Sequence, residues 1–316
     1  MTTYEEYRKQ WELDRKEAKT YPLTRGVPLT GTRTIVPYDI PVSTIDVDAA
    51  LAVLPPAPPV RPRLPPTDDP ETVSLTLTTS FQTGTDRWAQ VWLATTPQKR
   101  RVVVKLFQEA LFPRTYKSGF ECYASWSAVA LSGVEAWGYE QAKALQGLLL
   151  PHSYGFYRFE LPCRQIVVGL VMEYIEGHSF KRDYEAMVDG SFYSMESRLK
   201  REPVLQQLAL SVYCLHLCGV HHGDLSVRNI KQLPGPSPFF VFLDFAQCAP
   251  YTFYTTWKGK PDCTGLWQCL GEIESSENVV AWVDPPFARG ELWAINLINE
   301  QALAVYRRSV NAVERP

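Results

Sequence analysis

Asp224, Asn229 and Asp244 are residues of the types, and at the spacing, that phosphoryl transfer uses. That chemistry needs a carboxylate to position or deprotonate an acceptor hydroxyl, and further oxygen ligands to hold Mg²⁺ against phosphates. Asp224 and Asn229 lie five apart in the polar run HHGDLSVRNIKQL, so one loop can supply both a carboxylate and a side-chain amide. Asp244 follows the apolar run FFVFL, so a strand end can deliver a second carboxylate beside that loop. Lys105 ends another apolar run, Val102-Val103-Val104. A lysine there is costly to bury unless an acidic side chain or a phosphate pairs with it.

The elements around these residues follow from periodicity. Residues 3–19 read as a charged helix on the recurrence of Tyr4, Tyr7 and Trp11, and residues 20–53 carry little pattern. Residues 54–70 hold eight prolines in seventeen positions, which favours extended polyproline and removes sheet donors, so they read as a linker. Three strand candidates follow, SLTLTTSF, AQVWLATT and RRVVVKLFQ. A helix is expected over 133–149, a strand over 165–174, and a buried helix over 203–219 that starts at Pro203 and stops at Gly219. The expected order is therefore strands and a helix, then a helical part with polar loops.

The run His222-Gly223-Asp224-Leu225 with Asn229, followed by Asp244-Phe245, resembles the protein kinase signature H-R-D-L-x-x-x-N with D-F-G. Val102-Val103-Val104-Lys105 resembles the V-A-I-K strand of the same family, and the proline-rich start, the L-Q-G-x-x-x-P segment, H-G-D-L-x-x-R-N and a short C-lobe together make the chain similar to divergent kinase-like proteins of fungi. The resemblance implies an α+β, two-lobed protein-kinase-like fold, with a small antiparallel-sheet N-lobe over about 71–173 and a mainly helical, shortened C-lobe over about 176–310. Residues 1–53 would be an N-terminal extension and 54–70 a Pro-rich linker. It implies ATP and Mg²⁺ as cofactors. Asp224 would be the catalytic base, with Asn229 and Asp244 the metal ligands. Lys105 would bind the α and β phosphates, with Glu140 as its first-choice acidic partner and Glu135 the second. Gly84 and Val91 would bound the phosphate-covering loop, and Met172, Glu173, Tyr174 and Ile175 would form the hinge against adenine.

The sequence departs from the family at identifiable places. Only Gly84 survives of the glycine-rich loop, and Asp86 puts a carboxylate where an anion should sit, with Arg87 as the compensating cation. Gly223 stands where an arginine is usual, which is also the pattern of small-molecule kinases resembling aminoglycoside and choline phosphotransferases. Arg228 could supply the cation near the transferred phosphate. Ala246 replaces the last glycine of D-F-G, and no A-P-E segment follows.

Bulk properties bound the partners. A net charge of −2 disfavours nucleic acid, and no apolar run reaches membrane-spanning length. Seven cysteines without paired C-x-x-C motifs suggest reduced thiols in an intracellular protein, cytoplasmic or nuclear. Cys263 and Cys269 with His221 and His222 fit no common zinc spacing. The expected activity is phosphate transfer from ATP to a protein hydroxyl. The alternatives are a non-catalytic kinase-fold binding module and a small-molecule kinase. The expected partner is a protein or small-molecule phosphoacceptor, and P-x-x-P content in the linker could dock an SH3-like domain.

Overall fold

A computed structural model of the chain describes residues 4–52, 60–66, 69–113, 127–180, 204, 207–208, 210–235, 239–250 and 262. The chain divides into two units. The first contains residues 1–39, 63–136 and 152–174, and the second contains 40–62, 137–151 and 175–316.

The first unit is built on six strands: β1 (Pro28–Thr34), β2 (Thr72–Gln82), β3 (Gln90–Thr95), β4 (Arg101–Phe107), β5 (Ser153–Glu160) and β6 (Ile166–Glu173). They close into an antiparallel barrel in the order β1-β2-β3-β4-β6-β5. Side chains alternate across each strand, so Val73, Leu75 and Leu77 of β2 meet Trp92 and Ala94 of β3 and Val102, Val104 and Leu106 of β4 inside. β1 closes the barrel by pairing Leu29 with Leu75 on one side and Gly31 with Phe159 on the other. A Cβ at Gly31 would meet the Phe159 ring at 2.5 Å, so only glycine lets the two strands approach there.

This architecture corrects the expected two-lobed fold with a small sheet lobe and a mainly helical C-lobe. The sheet is a closed six-stranded barrel, and few helices occur among the described residues. The closing strand lies in a stretch without visible pattern, because Leu29 is its only large apolar side chain; threonine, glycine and arginine fill most of the rest. Residues 1–53, read as an extension, supply helix α1 (Tyr4–Thr20), β1 and helix α2 (Val47–Leu51). β5 lies outside the expected strands as well, since Gly155, Arg158 and Glu160 break its apolar run.

Helix α3 (Ala128–Gln141) begins earlier and ends earlier than the expected 133–149, and a short 3-10 turn at Lys143–Leu145 follows it. In the second unit, residues 210–217 are helical. A three-stranded sheet there orders β10 (Phe239–Phe242), β9 (Ile230–Leu233) and β7 (His178–Ser179). β8 (Val220–His221) pairs with β11 (Ala249–Pro250). Within the proline-rich run, Arg61 is tied down: its N–H donates to the Gly147 carbonyl, and its guanidinium to those of Leu148 and Leu150 at 2.8 and 2.7 Å. No helix among the described residues is long and apolar enough to cross a membrane. The stretch searched for an A-P-E segment, together with Cys263 and Cys269, lies outside the described residues.

Candidate functional site

The loop between β8 and β9 is built on a left-handed residue. Gly223 has φ +78°, and a Cβ there would collide with the Gln247 carbonyl. Glycine is required at this position, which gives a physical reason why an arginine is missing. After it the chain makes a 3-10 turn, Val227–Asn229, and enters β9.

Leu243 locks this loop to the end of β10. The His222 Nε2–H donates to the Leu243 carbonyl at 2.9 Å, and the Leu243 N–H donates to the Asn229 carbonyl at 2.8 Å. Asp244 comes next, in the left-handed region at φ +68°, a conformation few non-glycine residues adopt. The loop thus holds the residue before Asp244 at both of its backbone polar groups. Asp224 is bound from within the loop. Arg228 Nη2 donates to both carboxylate oxygens, at 3.1 and 2.9 Å, and Asn229 Nδ2 donates to the Asp224 backbone oxygen at 2.8 Å and to Oδ2 at 3.0 Å. With its nitrogen turned to Asp224, the Asn229 amide keeps Oδ1 as its acceptor.

Beneath the loop lies Asp262, fully buried. Its Oδ2 accepts the His222 N–H at 2.7 Å and faces His216 Nε2 at 2.9 Å and His221 Nδ1 at 3.4 Å, while Oδ1 accepts the Gly223 N–H at 2.8 Å. Burial alone would push this carboxyl up. The hydrogen bonds from His216 and His221 outweigh burial and hold it far below the usual carboxylate range. His216, His221 and Asp262 present ligand atoms within 4.8 Å of one another, a spacing open to a metal ion. The carboxylate already has four donors, however, and a cation there would have to displace the imidazole protons. The Asp262 carboxylate is fully engaged by these donors, while the outer ring nitrogens His216 Nδ1 and His221 Nε2 are buried without a hydrogen bond among the described residues.

In the first unit, Lys105 lies on β4, opposite Val91 of β3. Val102, Val104 and Leu106 point into the barrel, so Lys105 points out, towards α3. Its Nζ meets Glu135 Oε2 at 2.5 Å, and the two side chains are 3% and 0% exposed. Glu135, the second choice from sequence, is therefore the partner; Glu140 pairs instead with Lys143 at 2.9 Å. The reason is register along α3: Glu135 lies nearly a turn and a half before Glu140.

The turn between β2 and β3 starts at Gly84 (φ +94°) and contains Asp86 at φ +62°. The N–H groups of Asp86 and Arg87 both donate to the Leu111 carbonyl, at 2.8 and 3.3 Å. Arg15 of α1, rather than Arg87, neutralises Asp86, with Nη2 2.9 Å from Oδ1. The Arg15 hydrogen bond holds the Asp86 carboxyl below its ordinary range. Nothing in the sequence marked Arg15 or Asp262, since one is a charge among charges on a helix and the other stands in an unpatterned segment. In the stretch expected to be a hinge, Met172 and Glu173 end β6, and Glu173 accepts the His152 N–H at 3.0 Å. Tyr174 stacks on Phe81 with ring centroids 6.3 Å apart and carries the Arg101 guanidinium at 4.8 Å. Ile175 packs with Leu233 and Val241 in the second unit.

No protein-family model matches the chain, and no curated protein matches it.

Proposed function

We propose that this chain is an ATP-dependent phosphotransferase that moves the γ-phosphoryl group to a hydroxyl, with a protein hydroxyl as the first acceptor class to test. The observation that carries the reading is the junction at Leu243. Its bonds to His222 and Asn229 bring Asp244 next to the loop that bears Asp224. The Asp244 carboxylate and the Asn229 amide oxygen are hard donors of the kind Mg²⁺ takes, and the Asp224 carboxylate beside them is left to serve as the base. Mg·ATP, when bound, supplies the transferable phosphoryl group and the cation that offsets its charge.

Asp224 takes the proton of the acceptor hydroxyl as the new oxygen–phosphorus bond forms and the bond to the ADP oxygen breaks. Asn229 fixes the orientation of Asp224 through two hydrogen bonds, and Arg228 holds the same carboxylate and offers positive charge at the loop surface. Asn229 Oδ1 and Asp244 would hold the metal.

The test is Asp224→Ala in the full chain. Phosphoryl transfer should fall by about 10²- to 10⁴-fold while ATP binding persists. A peptide array and a metabolite panel run side by side identify the acceptor class. A parent protein that transfers phosphate to neither, or an Asp224→Ala variant with unchanged turnover, overturns the reading. One observation favours a second reading, a binding module without catalysis: the Asp86 and Arg87 amides, which would cradle a phosphate, are both given to Leu111. Calorimetry with Mg·ATP separates the two, since the enzyme must bind the nucleotide and lose Mg²⁺-dependent affinity on Asp244→Asn.

A further inference from the structure

Helix α1 is held to the barrel unit by polar bonds more than by burial. Of its residues only Ala18 is buried, packed with Ala110 and Leu111, while most of the helix is exposed. Its anchors converge on the segment after β4. Tyr7 Oη donates to Glu109 Oε1 at 2.6 Å, and Trp11 Nε1 to the Glu109 carbonyl at 3.2 Å. Arg15 donates to the carbonyls of Ala110 and Phe112 at 3.3 and 3.0 Å and to the Asp86 carboxylate at 2.9 Å. One guanidinium therefore clips the β2–β3 turn to the segment whose Leu111 carbonyl holds that turn's two amides.

A second connection runs through three glutamines. Gln165 Nε2 donates to the Asp14 carbonyl of α1 at 2.6 Å, and Gln108 Nε2 donates to Gln165 Oε1 at 2.8 Å. Gln90 Nε2 then donates to Gln108, and Gln90 begins β3, where the turn ends. Gln90 and Gln108 are buried, so this relay is a fixed part of the unit. α1 thus grips the β2–β3 turn near its middle through Arg15 and at its far end through Gln90.

We infer that α1 is an inhibitory strap: while docked, it keeps the Asp86 and Arg87 amides on Leu111 and so withholds them from an anion, and its release frees them for the phosphates of a nucleotide. Little apolar surface holds the strap, since only Ala18 of α1 is buried among its described residues, and elements with few buried apolar contacts open at low free-energy cost. The nucleotide part of this inference rests on the phosphotransferase reading; the mechanical part does not. If the binding-competent turn is only a minor population while α1 is docked, apparent affinity is reduced by that fraction.

The experiment compares Trp11→Ala with the parent as full chains, because that change loosens α1 without altering charge at the turn. Hydrogen exchange of the Asp86 and Arg87 amides should accelerate roughly fivefold to tenfold, the effect of about one hydrogen bond, with β5 and β6 amides unchanged. Mg·ATP affinity, by calorimetry, should rise severalfold. A separate charge swap, Arg15→Asp with Asp86→Arg, should recover only the part of the slow exchange that the Arg15–Asp86 pair supplies, and so fall between Arg15→Asp alone and the parent, because the bonds from Arg15 to the Ala110 and Phe112 carbonyls stay lost. Unchanged exchange in Trp11→Ala, or equal acceleration throughout the barrel, overturns the strap. Faster exchange with equal or weaker ATP affinity overturns its inhibitory role. If ATP binds neither protein, the phosphotransferase reading fails, and the exchange data alone decide whether α1 restrains the turn.

Discussion

Lys105 and Glu135 are almost wholly removed from water and pair with each other at 2.5 Å. Breaking such a pair takes from a buried ion its closest opposite charge, at a cost of about 3–5 kcal/mol, whereas replacing both members with apolar groups is often nearly neutral. Lys105→Met should therefore lower stability by about 3 kcal/mol or more in urea titrations, and Lys105→Met/Glu135→Leu should recover most of that loss. Equal stability of the single and double variants would mean that Glu135 finds another partner. The need for an acid was legible, because a lysine closing an apolar strand calls for one. The choice between Glu135 and Glu140 was not, since spacing along α3 does not say where the helix begins. Gly223 is a second residue with a local reason. A side chain there meets both a positive φ and the Gln247 carbonyl, whereas one at Gly219, with φ +75°, meets only the end of Gln141 at 3.3 Å. Gly223→Ala should cost about 1–3 kcal/mol in backbone strain plus the collision, and more than Gly219→Ala in the same denaturation assay.

At the scale of elements, Asp262 joins the 210–217 helical segment through His216, β8 through His221, and the loop through the His222 and Gly223 amides. Its carboxyl is held below the unfolded value of about 3.9, so in acid the unfolded chain takes up this proton before the folded one does. The stability it contributes is complete above about pH 4 and is lost as the pH falls further. Asp262→Asn should flatten that acid limb when denaturation is followed from about pH 7 to pH 3. It should also destabilise at neutral pH by about 1–3 kcal/mol, because an amide nitrogen replaces an acceptor facing donors. An acid limb identical to the parent's would place the titration elsewhere. The loop's own residues were readable from their types and spacing, and the structure does bind Asn229 to Asp224. The support under the loop was not, because a single aspartate 38 residues beyond Asp224 carries no local signal.

At the scale of the molecule, the misread strand decides which part of the chain can fold. Alternation made β2, β3, β4 and β6 visible, since each sets apolar side chains on the face that meets the core, down to Trp92 and Ala94 in β3. β1 buries mainly Leu29 and acts through its backbone, bonding β2 and β5 at once. Backbone pairing leaves no trace in composition, so the sequence suggested a domain starting at 71 where the structure has a barrel that needs residues 28–34. A chain beginning at residue 71 loses both sets of β1 hydrogen bonds, opens two sheet edges and uncovers part of the core beside Leu75 and Phe159. Open apolar edges pair with other chains. Such a truncation should elute as aggregate and lack near-ultraviolet aromatic dichroism. A chain beginning at residue 21 loses α1 but keeps β1, and it should remain monodisperse with the dichroism of the parent. Its β5 and β6 amides should stay protected from exchange, because their partners are intact, while the Asp86 and Arg87 amides become faster. If the chain from 71 folds as well as the chain from 21, β1 is dispensable and the sheet does not need closing.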